Sequence, residues 1–330
     1  MNENRVPDQG VQVYRHSYKG WASAVIESKA VRAEIVPALG GKIVSLLYKP
    51  TGKEWLLDAG SRALRQPEYG SPFTDWDMSG WDECFPTINA CTLAGTKLPD
   101  HGEVWPLPWN CEVKEGAIAC AADTVRLPLR LTRTLSMPSP DMLRLAYRAD
   151  NLHGDREMPF LWAAHPQFAV DEPTRVLLPE SMRELLCVFG GRHLTAGTSY
   201  AVEAIGDLRP DVTGDGRKFY YAGDVDAGWS GLYGRESRSY LILRTSPADV
   251  PHLGIWIDEG MFNDRSACAL EPGIGYYDSL ERAAANGTAG LLAPRGCREW
   301  QLDIVLGAGD EPLSPSESPD TSTENAPSSA

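Results

Sequence analysis

From Trp21 the chain reads WASAVIESKAVRAEIVPALGGKIVSLLYKPTGKEWLL, short apolar runs in alternation broken by PALGG and KPTGK. Period-two patterning between glycine and proline turns predicts consecutive β-strands. WNCEVKEGAIACAAD predicts a hairpin turning at Glu115-Gly116. PLRLTRTLSM and MLRLAYRADNL predict a further pair joined by PSPD, whose prolines and aspartate suit a turn. FLWAAHPQFAV is an apolar strand interrupted at His165-Pro166, and TRVLLPE reads as another. Between Ser181 and Trp229 the periodicity weakens and Gly and Asp accumulate, predicting loops with short strands. Strands resume with SYLILRTS, HLGIWIDEG, ACALEPGIG and CREWQLDIVLG. Only DSLERAAANG predicts a helix, with Asp278 as its cap, Ser279 near the first turn and Gly287 at its stop. Many strands with one short helix predict an all-β fold of two packed antiparallel sheets. The economical division is an N-terminal arm over 1–20, a single domain over 21–308 and a disordered, acidic, Ser/Pro-rich tail over 309–330.

Composition narrows the function. The 330 residues carry a formal net charge of −14, a surface that repels phosphate backbones and excludes nucleic acid as a partner. The N-terminus lacks the basic-then-apolar pattern of a secretory signal, and no run approaches the ~20 apolar residues of a membrane helix. The expectation is a soluble, cytoplasmic protein. Seven cysteines, odd in number and without a CxxC pair, predict neither a disulfide framework nor a metal site.

The densest chemistry lies in WDECFPTINACTLAGTKLPDHGEVWPLPW, Trp81 to Trp109, where three tryptophans stand among carboxylates, His101 and four prolines. Proline removes backbone donors and constrains its predecessor, so this stretch is expected to be a rigid loop. Aromatic faces beside carboxylates suit a sugar, whose C–H faces stack on flat rings and whose hydroxyls bond to charged acceptors. Two further stretches, LWAAHPQF around His165 and LEPGIGYYDSL around Glu271, likewise place a titratable residue beside proline or glycine near a strand end.

LPDHGEVWPLPW, LWAAHPQF and LEPGIGYYDSL, in that order, resemble the aldose 1-epimerase family, the galactose mutarotase-like proteins, over nearly the whole span from VRAEIVPALGG to CREWQLDIVL. The resemblance implies a large antiparallel β-supersandwich and interconversion of sugar anomers, with His101 and His165 matching the family histidines and Glu271 the catalytic glutamate. Ring opening itself asks for a base at the anomeric hydroxyl and an acid at the ring oxygen. Glu271 suits the base; His165, an imidazole near a carboxylate, suits the acid; His101 is assigned a supporting contact. No cofactor or metal is required, and the partner is a small sugar bound to a monomer or homodimer. Asp258, Asp82, Glu83 and Arg265 are candidate sugar contacts, and Trp81, Trp105 and Trp162 candidate stacking faces. WDECFPTIN stands where the best-known galactose mutarotases have an asparagine–arginine pair, which argues against galactose itself. The competing reading is a non-catalytic carbohydrate-binding or sensing protein with the same cleft; a lyase or glycosidase would be expected to bring a helical partner domain.

Overall fold

The computed structural model describes residues 10–310, and two large antiparallel sheets dominate it. The first is thirteen-stranded, and its main path runs Gln12–Tyr18, Trp21–Glu27, Val31–Val36, Lys42–Tyr48, Trp81–Cys84, Trp162–Pro166, Ser266–Ile274, His252–Glu259, Asp215–Tyr220, Glu184–Phe189, Ser199–Ala201. The second is nine-stranded and has Cys297–Ala308 and Met142–Asn151 near its middle. Alternation sets which side each residue faces. Along Leu129–Ser139 the residues Leu129, Leu131, Leu135 and Met137 turn inward, and with Leu145, Leu241 and Ile304 they join Ile26, Ile35 and Leu270 of the first sheet in one apolar cluster.

Several expected elements form as read, including the hairpin with strands Asn110–Lys114 and Ala117–Asp123. Others differ. Residues 12–18, placed in the expected arm, pair along their full length with Trp21–Glu27 and extend the first sheet. The Trp81–Trp109 stretch is not wholly loop: it opens with a buried strand and contains the small hairpin Cys91–Leu93 and Thr96–Leu98. Cys111 and Cys120, directly opposite in the first hairpin, are joined by a disulfide, contrary to the expectation from cysteine spacing; the pairing follows from strand register, which spacing does not display. Helix Leu280–Ala285 is capped by Ser279, whose hydroxyl accepts the Arg282 N–H, while Asp278 turns elsewhere. The expected tail, beyond its first two residues, lies outside the described residues, as do positions 1–9. Among the described residues no helix is long and apolar enough to cross a membrane.

Candidate active site

Five neighbouring strands of the first sheet build the floor of a cleft of about 320 Å³. Their register brings Asp82 opposite His165, Cys84 opposite Ala163, Gly254 opposite Glu271 and Tyr220, and Lys218 opposite Trp256. Because successive side chains change sides, Asp82, Cys84, His165, Glu271, Trp256, Lys218 and Tyr220 share the outer face. Trp81, Glu83, Trp162, Leu270 and Phe219 turn towards the other sheet. Small residues in the floor make room: a Cβ at Gly254 would come within 3.1 Å of Glu271 Oε2 and of the Tyr220 ring.

Loops supply the walls. His101 has a left-handed backbone, φ 56°, and Gly102 after it sits so close to Phe85 that a Cβ would meet its carbonyl oxygen at 2.3 Å. The Asp-His-Gly order is thus a requirement of the turn that carries the imidazole over the floor. Asp100 joins two walls: its carboxylate accepts the Phe73 N–H at 2.9 Å and lies 3.0 Å from His101 Nδ1. Phe73 stacks on His101 and meets His165 edge-on, and the two imidazoles are 4.8 Å apart, ring centre to ring centre. Opposite them Trp256 stands between Phe189 and Phe262, both of which are exposed at the rim.

At the centre Glu271, 2 % exposed, contacts two cationic or potentially cationic groups. Lys218 Nζ lies 2.9 Å from its Oε2 and 2.9 Å from Asp278 Oδ1, and His165 Nε2 lies 3.9 Å from its Oε1. Tyr220 donates its hydroxyl to Asp278 at 2.8 Å, so Asp278 anchors Lys218 from the far side. Burial pushes the Glu271 carboxyl up from its ordinary value, with the Lys218 ammonium opposing it. Burial alone would lower Lys218, yet Asp278 and Glu271 hold it well above its usual range. Asp100 is held below the ordinary carboxylate range, since its bond to His101 and its backbone donors outweigh the effect of burial.

The surroundings of His165 weigh against the acid role read for it from sequence. A nearby carboxylate was expected to keep a proton on His165. Burial instead pushes its imidazole well below the ordinary value, and the positive charges of His101, Lys218 and Lys42 add to the effect, while Glu271 is engaged by Lys218. Both effects favour the neutral ring at His165.

Of the ten sequence candidates, His101, His165 and Glu271 line the cleft together. The other seven do not. Trp81 is packed in the core against Phe168, and Trp162 against Tyr147 and Trp300. Glu83 is fully buried between the sheets, where Arg133 Nη1, Tyr147 Oη and Trp162 Nε1 donate to it at 2.7, 2.9 and 2.8 Å. Asp82 shares the outer face but lies beneath the cleft beside Lys42, 3.1 Å from its Nζ, and burial raises its carboxyl to about 6 against that pull. Trp105 buttresses Phe73 from behind. Asp258 accepts the backbone N–H groups of Met261, Phe262 and Asn263 and so holds the loop that bears Phe262. Arg265 is at the surface with Asp58 and Asp264. Sequence reasoning missed Lys218, Asp278, Asp100, Phe73, Trp256, Phe189 and Phe262. Lys218 lay in a stretch read as loop, because its strand alternates Gly216, Lys218 and Tyr220 on the cleft side and so lacks an apolar stripe.

This arrangement sits on a known architecture: the chain has the galactose mutarotase-like β-sandwich fold. It is similar to a crystal structure of a putative aldose 1-epimerase from Klebsiella pneumoniae, with a TM-score of 0.69 and 14% identity over 92% of this chain and 89% of that one. A galactose mutarotase-like protein from Lactobacillus casei matches with a TM-score of 0.66 and 17% identity, covering 86% of this chain and 100% of that one. Another from Clostridium acetobutylicum matches at 0.64 and 16%, covering 91% and 99%. No family model and no curated protein matches the sequence.

Proposed function

We propose that this protein is a mutarotase-like isomerase that interconverts the α and β anomers of a free sugar. The observation that carries the reading is the buried Glu271 carboxylate, set between Lys218 and His165 and facing His101 under an aromatic rim. Glu271 takes the proton of the anomeric hydroxyl as the bond between C1 and the ring oxygen breaks. Lys218 favours the ionised carboxylate that this step needs. The proton for the ring oxygen comes from His101, whose Nδ1 is oriented by Asp100, and the neutral His165 ring hydrogen-bonds the sugar oxygens beside it. Rotation about C1–C2 followed by the reverse transfers closes the ring on the other face. Trp256 and Phe262 cover the apolar sugar face. Among the described lining residues, three carboxylates (Asp100, Glu271, Asp278) face the one ammonium of Lys218, which favours a neutral aldose over a phosphorylated or uronic sugar.

The test follows anomer exchange by polarimetry or exchange NMR over freshly dissolved aldoses and uronic acids, comparing the wild type with Glu271→Gln. Acceleration by the wild type and its loss in the variant support the reading. Sugar binding without acceleration by the wild type replaces it with a carbohydrate-binding function.

A further inference from the structure

The acid–base reading leaves one buried group unused: the thiol of Cys84, on the cleft face beside the two histidines. The Cys84 sulfur and one ring nitrogen from each of His101 and His165 all lie within 4.8 Å of one another. Cys84 and His165 are buried and His101 is half-buried, so water competes little for these donors. His165 Nδ1 has no hydrogen-bond partner although the residue is only 5 % exposed. Asp100 lies 3.0 Å from His101 Nδ1 and leaves Nε2 as the nitrogen free to ligate. A carboxylate behind a histidine is the usual support of a metal-bound imidazole.

We propose that Cys84, His101 and His165 form a zinc-binding site at the floor of the cleft, with a water molecule as the fourth ligand. One thiolate and two imidazoles select a soft or borderline ion such as Zn2+ over Mg2+ or Ca2+. Donors around a tetrahedral zinc stand about 3.5 Å apart, so groups within 4.8 Å of one another close by roughly 1.3 Å at most. The side-chain torsions of His101 and Cys84 can supply that movement. Binding forms the S–Zn bond as the thiol proton passes to solvent. A zinc ion there occupies both histidines at once, so it blocks anomer exchange reversibly. That last consequence rests on the proposed function; the binding itself does not.

The experiment titrates chelator-treated protein, kept free of thiol reductant so that the Cys111–Cys120 disulfide stays closed, with Cd2+ and Zn2+. Cadmium is expected to produce a thiolate charge-transfer band in the ultraviolet that saturates at one ion per chain, and zinc is expected to displace it. Cys84→Ser, checked for folding by its melting curve, should lose the band even though Cys91, Cys187, Cys268 and Cys297 remain as free thiols. Asp100→Asn, which keeps an acceptor for the Phe73 N–H, should weaken zinc binding by about 10–100-fold. A band of equal strength in Cys84→Ser, or zinc affinity unchanged in Asp100→Asn, overturns the site. Absorbance does not depend on turnover, so a protein that binds cadmium in this way but exchanges no anomers refutes the isomerase and leaves the metal site standing.

Discussion

Arg133→Met should be among the most destabilising single changes in this protein. Arg133 lies on Leu129–Ser139 of the nine-stranded sheet and Glu83 on Trp81–Cys84 of the thirteen-stranded one, and both side chains are 0% exposed. The guanidinium donates to Glu83 at 2.7 Å and to the Gly41 carbonyl, and it lies over the Trp109 ring. Methionine fills much of the volume but leaves Glu83 charged in the core, with only Tyr147 and Trp162 as donors. Breaking one side of a buried ion pair in this way costs about 3–5 kcal/mol. Adding Glu83→Gln to Arg133→Met removes the stranded charge, the amide oxygen accepting from Trp162 at the former Oε2 position and the amide NH2 donating to the Tyr147 hydroxyl oxygen at the former Oε1 position. The double variant should therefore regain at least half of the loss. Urea unfolding followed by tryptophan fluorescence and circular dichroism measures all three proteins. An Arg133→Met variant within about 1 kcal/mol of wild type, or a double variant no more stable than the single one, would refute the assignment of Glu83 to a charge-paired interior network.

Two variants probe the floor of the cleft. Lys218→Met removes a charged donor from Glu271 and should lower kcat by roughly tenfold to a hundredfold, on the scale of one charge-assisted hydrogen bond; an unchanged kcat in the polarimetric assay would show that Lys218 serves only Asp278. Gly254→Ala puts a methyl 3.1 Å from Glu271 Oε2 and the Tyr220 ring, so it should displace the carboxylate, depress kcat/KM and cost about 1–3 kcal/mol in urea unfolding. Full activity in that variant would mean that the carboxylate's position is not critical.

The architecture was readable because alternation and turn residues speak directly of strands. Leu129, Leu131 and Leu135 advertise an inward face, and Glu115-Gly116 a turn. His101, His165 and Glu271 were legible through the resemblance of LPDHGEVWPLPW, LWAAHPQF and LEPGIGYYDSL, in that order, to a known family; proline or glycine beside a titratable residue does not by itself mark a site. The aromatic wall was misplaced because composition along the chain does not tell which side of a strand a ring takes. Trp81 precedes Asp82 by one residue and Trp162 precedes His165 by three, odd separations that put each tryptophan on the opposite face, and only the pairing of Trp81–Cys84 with Trp162–Pro166 fixes that parity. Lys218 was hidden for the converse reason: a strand whose outward side lines a polar cleft shows no regular apolar alternation. The Cys111–Cys120 bond, too, is a matter of register.

The contrast between a floor of strands and walls of loops has an evolutionary reading. Glu271, Lys218 and His165 are locked into the hydrogen-bonded sheet, where any shift propagates to neighbouring strands. Phe73 and Phe262 hang on loops held by the carboxylates of Asp100 and Asp258 and bridged by Arg62, which donates to the Thr74 and Phe262 carbonyls. Substitutions at those two rings can reshape which sugar is admitted while the reacting groups stay where they are. Such a scaffold can diverge in substrate by exchanging its rim, and a designer wanting a new specificity would begin there.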